Sequence, residues 1–201
     1  MPSLFNSWWK PSKTNRTARR AAKSRLRVEQ LEDRVTPAAG MLDTTFSGDG
    51  KVTTDLGGSN SVHAVAVDGL GRTLVAGDTN QNFKVTRYQV DGSLDMGFGT
   101  GGTATVDFGS NDSARGVAVD GLGRILLGGF STIGGDNNDF AVARLTDAGI
   151  LDASFSDDGK ATVDFGGDDV GFGVAVDGLG RVVLGGYSRV GGAPTPSRQP
   201  G

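Results

Sequence analysis

One nine-residue phrase occurs three times along this chain, and it limits what the chain can fold into more than any other feature. The copies are AVAVDGLGR at Ala64–Arg72, GVAVDGLGR at Gly116–Arg124 and GVAVDGLGR at Gly173–Arg181. Val65 and Val67 alternate with Ala66, which predicts a strand. The DGLG sequence that follows contains residues that tolerate positive φ, so the chain can reverse there. The phrase predicts a β-hairpin, and its recurrence predicts tandem β-repeats.

A second phrase keeps a fixed distance from the first. It starts at Leu42, Leu94 and Leu151, and each of these leucines stands 30 residues before the arginine of the next hairpin. The repeat period grows from 52 to 57 residues because the loop Ser131–Asp139 is longer than its counterpart Asp78–Asn82. An insertion confined to one loop is typical of a structural repeat.

Each repeat contains candidate strands and no helical stretch. We group them so that each repeat begins with the strand that precedes its hairpin. The predicted strands are Lys51–Leu56, Val62–Val67, Thr73–Gly77 and Phe83–Val90 in the first repeat, Thr103–Phe108, Arg115–Val119, Ile125–Gly129 and Phe140–Leu145 in the second, and Lys160–Phe165, Phe172–Val176 and Val182–Gly186 in the third. The pattern predicts an all-β fold of tandem four-stranded antiparallel repeats, propeller-like and incomplete, with two full blades and part of a third.

Charge and composition divide the chain into three parts. Residues 1–40 carry nine Lys or Arg and three Asp or Glu, whereas residues 41–201 carry 11 and 20. We predict a basic segment over residues 1–40, a β-repeat domain over 41–190 and a disordered Pro/Gly-rich tail over 191–201. Three interpretations of the basic segment stay open: disorder, targeting, or attachment to nucleic acid or a membrane surface. Within it, Ser24–Arg34 has the pattern of a short amphipathic helix.

Three classes of structure or partner are disfavoured by composition. The chain has no Cys, so it has neither disulfide bonds nor a thiolate site. No segment approaches the roughly 20 apolar residues of a membrane-spanning helix. The acidic repeat domain argues against a nucleic-acid partner, because phosphate binding requires a cationic surface.

Asp-rich loops are the main candidates for a metal site. The four loops are Ser47–Gly50, Gly135–Asp139, Ser156–Gly159 and Gly167–Asp169. Clustered carboxylates are ligands for calcium, but none of these loops has the spacing of an EF-hand. Asp and Asn also form turns without any metal. We therefore predict no catalytic, cofactor-binding or metal residue, and calcium remains an alternative.

The repeated hairpins contain further polar residues that are candidates for a functional site. Asp68, Asp120 and Asp177 have two interpretations: a ring of carboxylates, or side chains that close their own turns. We expect the second. We expect the arginines four residues later to pair with these acids or to cover apolar surface with their stems. His63 is the only histidine, so the sequence supports neither a catalytic triad nor a multi-histidine metal site.

The repeat resembles the bacterial delta-60 repeat. Three phrases carry the resemblance in the same order: LDTTFSGDGK at Leu42–Lys51, AVAVDGLGRTLVAG at Ala64–Gly77 and FKVTRYQVDGSLD at Phe83–Asp95. The resemblance covers residues 42–150 in full and 151–190 in part, and the hairpin is also similar to NHL-type propeller repeats. It implies tandem repeats in large, exported bacterial proteins, and it supplies no catalytic residues.

A shorter resemblance lies in the basic segment. RLRVEQLEDRVTPA at Arg25–Ala38 resembles an N-terminal signature of predicted exported proteins of planctomycete-type bacteria. An ordinary secretory signal would also have an apolar core of about 7–15 residues, which is absent here. The resemblance implies an extracellular or cell-envelope location.

These observations predict a non-catalytic exported or cell-surface scaffold for binding or adhesion, whose partner is a protein or glycan at the cell surface. The alternatives are a propeller hydrolase of lactones or esters with a calcium site, and a truncated product without function. The near-identity of the repeats and the absence of Glu from residues 41–201 disfavour the enzyme. Because closed propellers need at least four blades, we expect a fragment of a larger propeller or self-association through open sheet edges.

Overall fold

The computed structural model describes residues 40–133 and 137–190 of this 201-residue chain. Every described residue belongs to a single compact unit of the chain. The predicted amphipathic helix at Ser24–Arg34, the signature at Arg25–Ala38 and the predicted tail over 191–201 lie outside the described residues.

The described residues form ten β-strands in three antiparallel sheets. The first sheet has the order β1 (Asn60–Val67), β2 (Thr73–Thr79), β3 (Asn82–Tyr88) and β4 (Thr103–Val106). The second has the order β5 (Asp112–Val119), β6 (Ile125–Ser131), β7 (Asp139–Leu145) and β8 (Lys160–Val163). The third pairs β9 (Gly167–Val176) with β10 (Val182–Val190).

This architecture confirms the predicted fold class. Two four-stranded antiparallel sheets follow one another, and a two-stranded sheet continues the series, so the fold is all-β, propeller-like and incomplete. The described residues form an open array rather than a closed ring. Among them, no helix is long and apolar enough to cross a membrane.

The grouping of strands differs from the prediction by one strand. The strand before each hairpin does not join that hairpin: β4 pairs with β3 of the preceding repeat, and β8 pairs with β7. The equivalent segment Lys51–Leu56, predicted as the first strand, is not a strand in the structure. Its sequence is that of an outer strand, and the described residues include no preceding third strand with which it could pair. The predicted strand at Lys51–Leu56 is therefore wrong, and so is the assignment of the two equivalent strands to the repeat that follows them.

A bulge recurs in the first strand of each hairpin. It explains why all three repeats have a glycine near the end of the second strand. The strand register shifts between Val62 and Ala64 in β1 and between Ala114 and Gly116 in β5. A Cβ atom on Gly77 would lie 1.8 Å from the Ser61 carbonyl oxygen, and one on Gly129 would lie 1.9 Å from that of Ser113. Only glycine therefore allows this close approach of two backbones.

The hydrophobic core lies between the first and second sheets. Period-two alternation puts Leu74, Ala76, Phe83 and Val85 on the face of the first sheet that meets the second. The second sheet contributes the opposing face; its core residues are Ala114, Ile125, Leu127, Ala141, Ala143 and Leu145. Sheets packed face to face in this way stabilise one another by removing apolar area from water.

The opposite face of the first sheet is more polar. At the positions that Ala141, Ala143 and Leu145 occupy in β7, strand β3 has Lys84, Thr86 and Tyr88. The Tyr88 hydroxyl donates to Thr54 Oγ1 at 2.8 Å, so the segment after Lys51 lies against this face.

Candidate binding surface

The repeated DGLGR turn is held closed by its own aspartate. Asp68 Oδ1 accepts hydrogen bonds from the backbone nitrogens of Leu70 and Arg72, both at 2.9 Å, and Asp68 Oδ2 accepts from Arg72 Nε at 2.6 Å. Asp120 and Asp177 form the same three bonds in their hairpins. The aspartates therefore close their turns and pair with the arginines, as predicted, and each carboxylate belongs to its own hairpin.

These bonds fix the protonation state of the hairpin aspartates. Burial by itself would raise the pKa of Asp68, but hydrogen bonds from the Arg72 side chain and from the backbone of Arg72 and Leu70 outweigh it and hold that pKa below its usual value. The pKa of Asp120 is lowered by the same balance of effects. Both carboxylates remain ionised near neutral pH and cannot act as proton donors.

The tip of each DGLG turn presents an exposed leucine. Leu70, Leu122 and Leu179 are 70%, 76% and 81% exposed. They occupy the same position in three turns of the same geometry, because the following glycine has a φ of 78° at Gly71 and Gly123 and of 77° at Gly180. A large apolar side chain at the same exposed position in three repeats is a candidate contact surface for a partner.

A cleft of about 420 Å³ separates the first two turns. We name it the hairpin cleft; its lining residues are Asp68, Gly69, Leu70, Arg72, Asp120, Gly121, Leu122, Gly123 and Asp147. Arg72 contacts Asp147 from the turn after β7 as well as its own Asp68. Burial opposes the charge of Arg72, but the carboxylates of Asp147 and Asp68 outweigh it and raise the pKa of that guanidinium.

The chemistry of the hairpin cleft is suited to binding. Asp68 and Asp147 pair with Arg72, and Asp120 pairs with Arg124. The leucines at the rim of the cleft offer apolar contact area. A partner can gain apolar burial at the rim and hydrogen bonds at the half-exposed Asp147. A proton-transfer reaction would instead need a group with a pKa near neutrality. The pKa values of Asp68 and Asp120 are lowered and that of Arg72 is raised, so all three move away from neutrality.

The structure keeps two of the acidic loops apart and brings residues of the other two together. Asp49 and Asp158 accept the backbone N–H two residues later, at 2.9 Å each, so they act as turn formers. From the other loops, Asp139 and Asp169 come together with Asp164, and their carboxylate oxygens lie within 4.8 Å of one another. Gly135 and Asp136 lie outside the described residues.

The cluster of Asp139, Asp164 and Asp169 does not by itself make a metal site. Burial raises the pKa of Asp139, and the neighbouring carboxylates of Asp164 and Asp169 add to the effect. The cluster offers three ligands, whereas calcium takes six to eight oxygens. In the preceding repeat Asn82 takes the place of Asp139, and its amide, oriented with nitrogen toward Asp107, donates to that carboxylate at 3.2 Å.

The single histidine takes part in a polar contact between two sheets. His63 Nε2 lies 2.9 Å from Asp78 Oδ1, and the Ser113 hydroxyl donates to the same oxygen at 2.7 Å. In a Ser–His–Asp triad the imidazole stands between the hydroxyl and the carboxylate. Here the carboxylate stands between the other two, so this arrangement does not activate Ser113 as a nucleophile.

Sequence reasoning missed two parts of this surface. The exposed leucines had a signal, because a large apolar residue between two glycines at a turn tip cannot be buried by its own hairpin. Asp147 had none, because the arginine that it contacts lies 75 residues earlier in the sequence. Nothing in the local pattern distinguishes Asp147 from any other turn residue.

Comparison with known protein families supports the propeller architecture. Residues 71–98 and 123–155 match the family model described as "Domain of unknown function (DUF5122) beta-propeller". The two matched stretches contain β2 with β3 and β6 with β7, together with the links that follow. No curated protein matches the chain. The chain thus contains a β-propeller-type repeat domain, whereas its resemblance to the delta-60 repeat and its N-terminal signature stay predictions.

Proposed function

We propose that this chain is a non-catalytic repeat scaffold, exported to the cell surface or envelope, that binds a protein or glycan through the tips of its DGLG hairpins. The observation that carries the proposal is the row of Leu70, Leu122 and Leu179, exposed at equivalent positions in three consecutive repeats. The leucine side chains extend away from turns that their backbones help to close, and a partner that covers all three gains apolar burial from each.

The polar residues around the row favour binding over catalysis. The repeated aspartates and arginines satisfy one another within the hairpins. The alternatives, a lactone or ester hydrolase and a product without function, make different demands on the same residues. A hydrolase requires a reactive group or a metal centre, and a product without function would not bind with structural specificity.

The proposal is tested with intact cells of the source as the probe. The labelled full chain is compared with a variant carrying Leu70→Ser, Leu122→Ser and Leu179→Ser, and bound protein is measured against concentration. We expect the triple variant to bind at least about tenfold more weakly. The matched control carries Met41→Ser and Leu42→Ser, two exposed apolar residues before the first strand, and should bind like the unaltered chain.

Three outcomes contradict the proposal. Equal binding of all three proteins would mean that the hairpin tips are not the contact surface. Calcium-dependent turnover of lactones or esters would favour the hydrolase. Detection of the intact chain in the cytoplasm alone, by mass spectrometry of cell fractions, would exclude the surface location.

A further inference from the structure

A second surface, distinct from the hairpin tips, lies on the far face of the second sheet. It is a groove of about 520 Å³ between that face and β10. Its apolar lining residues are Phe140, Val142, Phe155, Ala161, Val163, Phe165, Val182 and Leu184. Within this lining, Val163 is 49% exposed and Phe165 is 54% exposed. We name this surface the strand groove.

The preceding repeat shows what covers such a surface. Phe83, Val85, Phe98 and Val106 hold the positions of Phe140, Val142, Phe155 and Val163, and all four are buried. They belong to one cluster with Ala141, Ala143 and Leu145, which alternate along β7 in the next sheet. In the first interface the cover is therefore a third strand with small and aliphatic side chains at alternate positions.

A carboxylate fixes the end of that covering strand. Asp147, two residues after Leu145, contacts Arg72, and Arg87 Nη1 donates to the Asp147 carbonyl oxygen at 2.5 Å and to Asp147 Oδ1 at 3.0 Å. Two guanidinium groups at one end of the surface thus recognise an acid that follows the apolar run.

The strand groove has the same pair of arginines. Arg124 and Arg144 hold the positions of Arg72 and Arg87. Arg124 Nε donates to Asp120 at 2.6 Å and Arg144 Nε donates to Asp152 at 2.8 Å, as their counterparts do with Asp68 and Asp95. Asp152 Oδ2 also lies 3.9 Å from Arg124 Nη1, so this carboxylate contacts both arginines. Within the described part of the chain, no carboxylate that follows a covering strand contacts this pair as Asp147 contacts Arg72 and Arg87.

Strand β10 offers a backbone edge beside the groove. Its counterpart β6 pairs with β5 on one side and with β7 on the other. Strand β10 pairs with β9 on one side, and no strand of the described residues pairs with it on the other. An extended peptide can add to such an edge through main-chain hydrogen bonds while its alternate side chains enter the groove.

We propose that the strand groove binds an extended peptide strand of a partner polypeptide. The strand carries small or aliphatic side chains at alternate positions and an acidic residue two positions after the last of them. It adds to β10, covers Val163 and Phe165, and places its carboxylate between Arg124 and Arg144. The proposal is independent of the hairpin tips. We do not propose the outer face of the first sheet as such a site, because its third strand, β3, has Lys84, Thr86 and Tyr88 on that face instead of apolar side chains.

Residues 191–201 of the chain itself do not have this chemistry. Their sequence, VGGAPTPSRQPG from Val190 onward, contains two prolines at alternate positions, a further proline near its end and no Asp or Glu. A proline cannot donate a hydrogen bond to a sheet edge. Residues 191–201 therefore do not fit the edge of β10 or the pair of arginines.

The experiment uses the full chain and a labelled peptide with the sequence of the known cover, DFAVARLTDAG from Asp139–Gly149. Binding is followed by fluorescence anisotropy. We expect saturable binding with one peptide per chain, and about tenfold weaker binding when the peptide carries Asp147→Asn, because a charge-assisted contact is lost. A scrambled peptide should not bind.

Two variants of the chain locate the contact. Val163→Asp puts a charge in the groove and should abolish binding, whereas the matched control Val65→Asp, on the outer face of the first sheet, should leave it unchanged. Arg124→Gln should weaken binding of the unaltered peptide and should add little further loss for the peptide with Asp147→Asn, because both changes remove the same contact. Thermal melting curves confirm that each variant is folded.

The proposal is overturned by any of four results. The first is equal binding of the scrambled peptide, and the second is an equal loss with Val65→Asp. The third is peptide binding that requires removal of residues 191–201, since the chain's own end would then be the occupant. The fourth is concentration-dependent self-association that Val163→Asp abolishes and that competes with the peptide, since the occupant would then be a second copy.

Discussion

At the scale of single residues, the same interaction recurs in different surroundings. The side chains of Asp68 and Asp120 are almost completely buried, at 4% exposure each, whereas that of Asp177 is 28% exposed and that of its partner Arg181 is 74% exposed. All three carboxylates form the same bonds to their turns. An ion pair shielded from water contributes more than an exposed one, because solvent screens the exposed charges. The three hairpins thus form a natural series for this interaction.

The residue-scale prediction compares Asp120→Ala with Asp177→Ala. We expect Asp120→Ala to lower the free energy of unfolding by about 1.5–3 kcal/mol at pH 7, because the turn loses hydrogen bonds to a charged group and Arg124 Nε loses its hydrogen-bond acceptor. Asp177→Ala should cause a smaller loss. Chemical denaturation at neutral pH measures both, and an equal loss would mean that shielding from water is unimportant here.

The pH dependence follows from the direction of the pKa shift. The pKa of Asp120 is lowered in the folded chain, so its contribution to stability is present above the unfolded pKa and is lost as the pH falls through the folded pKa. The difference in stability between the unaltered chain and Asp120→Ala should therefore narrow below about pH 4. A difference that stays constant with pH would contradict the proposed charge interaction.

At the scale of the elements, each hairpin depends on a close approach of two backbones. The bulge in the first strand brings a carbonyl oxygen against the glycine of the second strand, at Gly77, Gly129 and Gly186. The three carbonyl oxygens would lie 1.8 or 1.9 Å from an added Cβ atom. The second glycine of the LGG sequence in the second and third repeats is thus required by the close approach of two backbones.

The prediction for the hairpin concerns Gly129→Ala. The added methyl group would overlap the Ser113 carbonyl oxygen, so the strands must separate, and we expect the free energy of unfolding to fall by roughly 2–3 kcal/mol. The control is Gly121→Ala in the DGLG turn, where no atom lies within 4 Å of the added Cβ, and it should stay within about 0.5 kcal/mol of the unaltered chain. Equal stability of the two variants, measured by thermal unfolding, would exclude the close approach.

At the scale of the whole molecule, the first and second sheets cover one another while the second is only partly covered by β9 and β10. Phe98 is fully buried in the first interface, where the Arg87 guanidinium stacks 4.4 Å from the centre of its ring. Phe155 is the corresponding residue one repeat later, stacked against Arg144 at 4.9 Å, but it lines the strand groove. Phe98 and Phe155 each stack against the equivalent arginine, and they differ in whether a neighbouring sheet covers the ring.

The prediction for the whole molecule compares Phe98→Ala with Phe155→Ala. We expect Phe98→Ala to lower the free energy of unfolding by about 3–5 kcal/mol, which is the usual loss for a buried aromatic side chain. Phe155→Ala should cost clearly less, because its ring is partly exposed before the substitution. If a saturating strand peptide is added, the cost of Phe155→Ala should rise toward that of Phe98→Ala. Equal costs without peptide would mean that the groove is already covered.

The hairpins could be predicted from sequence because their interactions are local. Alternating Val and Ala specify the strand, and Asp68 closes a turn within five residues of its own position. The fold class follows from the same local signals, repeated in order. The outer strands could not be placed in this way, because a strand at Thr103–Val106 has the same pattern whether it pairs with its own repeat or with the preceding one.

Sequence by itself thus determined the strands of the hairpins, the turns, the repeat and the structural role of the hairpin aspartates. The tertiary structure decided which repeat receives each outer strand, how Asp147 joins Arg72, and which sheet face stays open at Val163 and Phe165. The physical reason is that each of these features depends on packing between residues from different repeats. Near-identical repeats carry the same local signals, so only their positions in the assembled array distinguish a buried face from an open one.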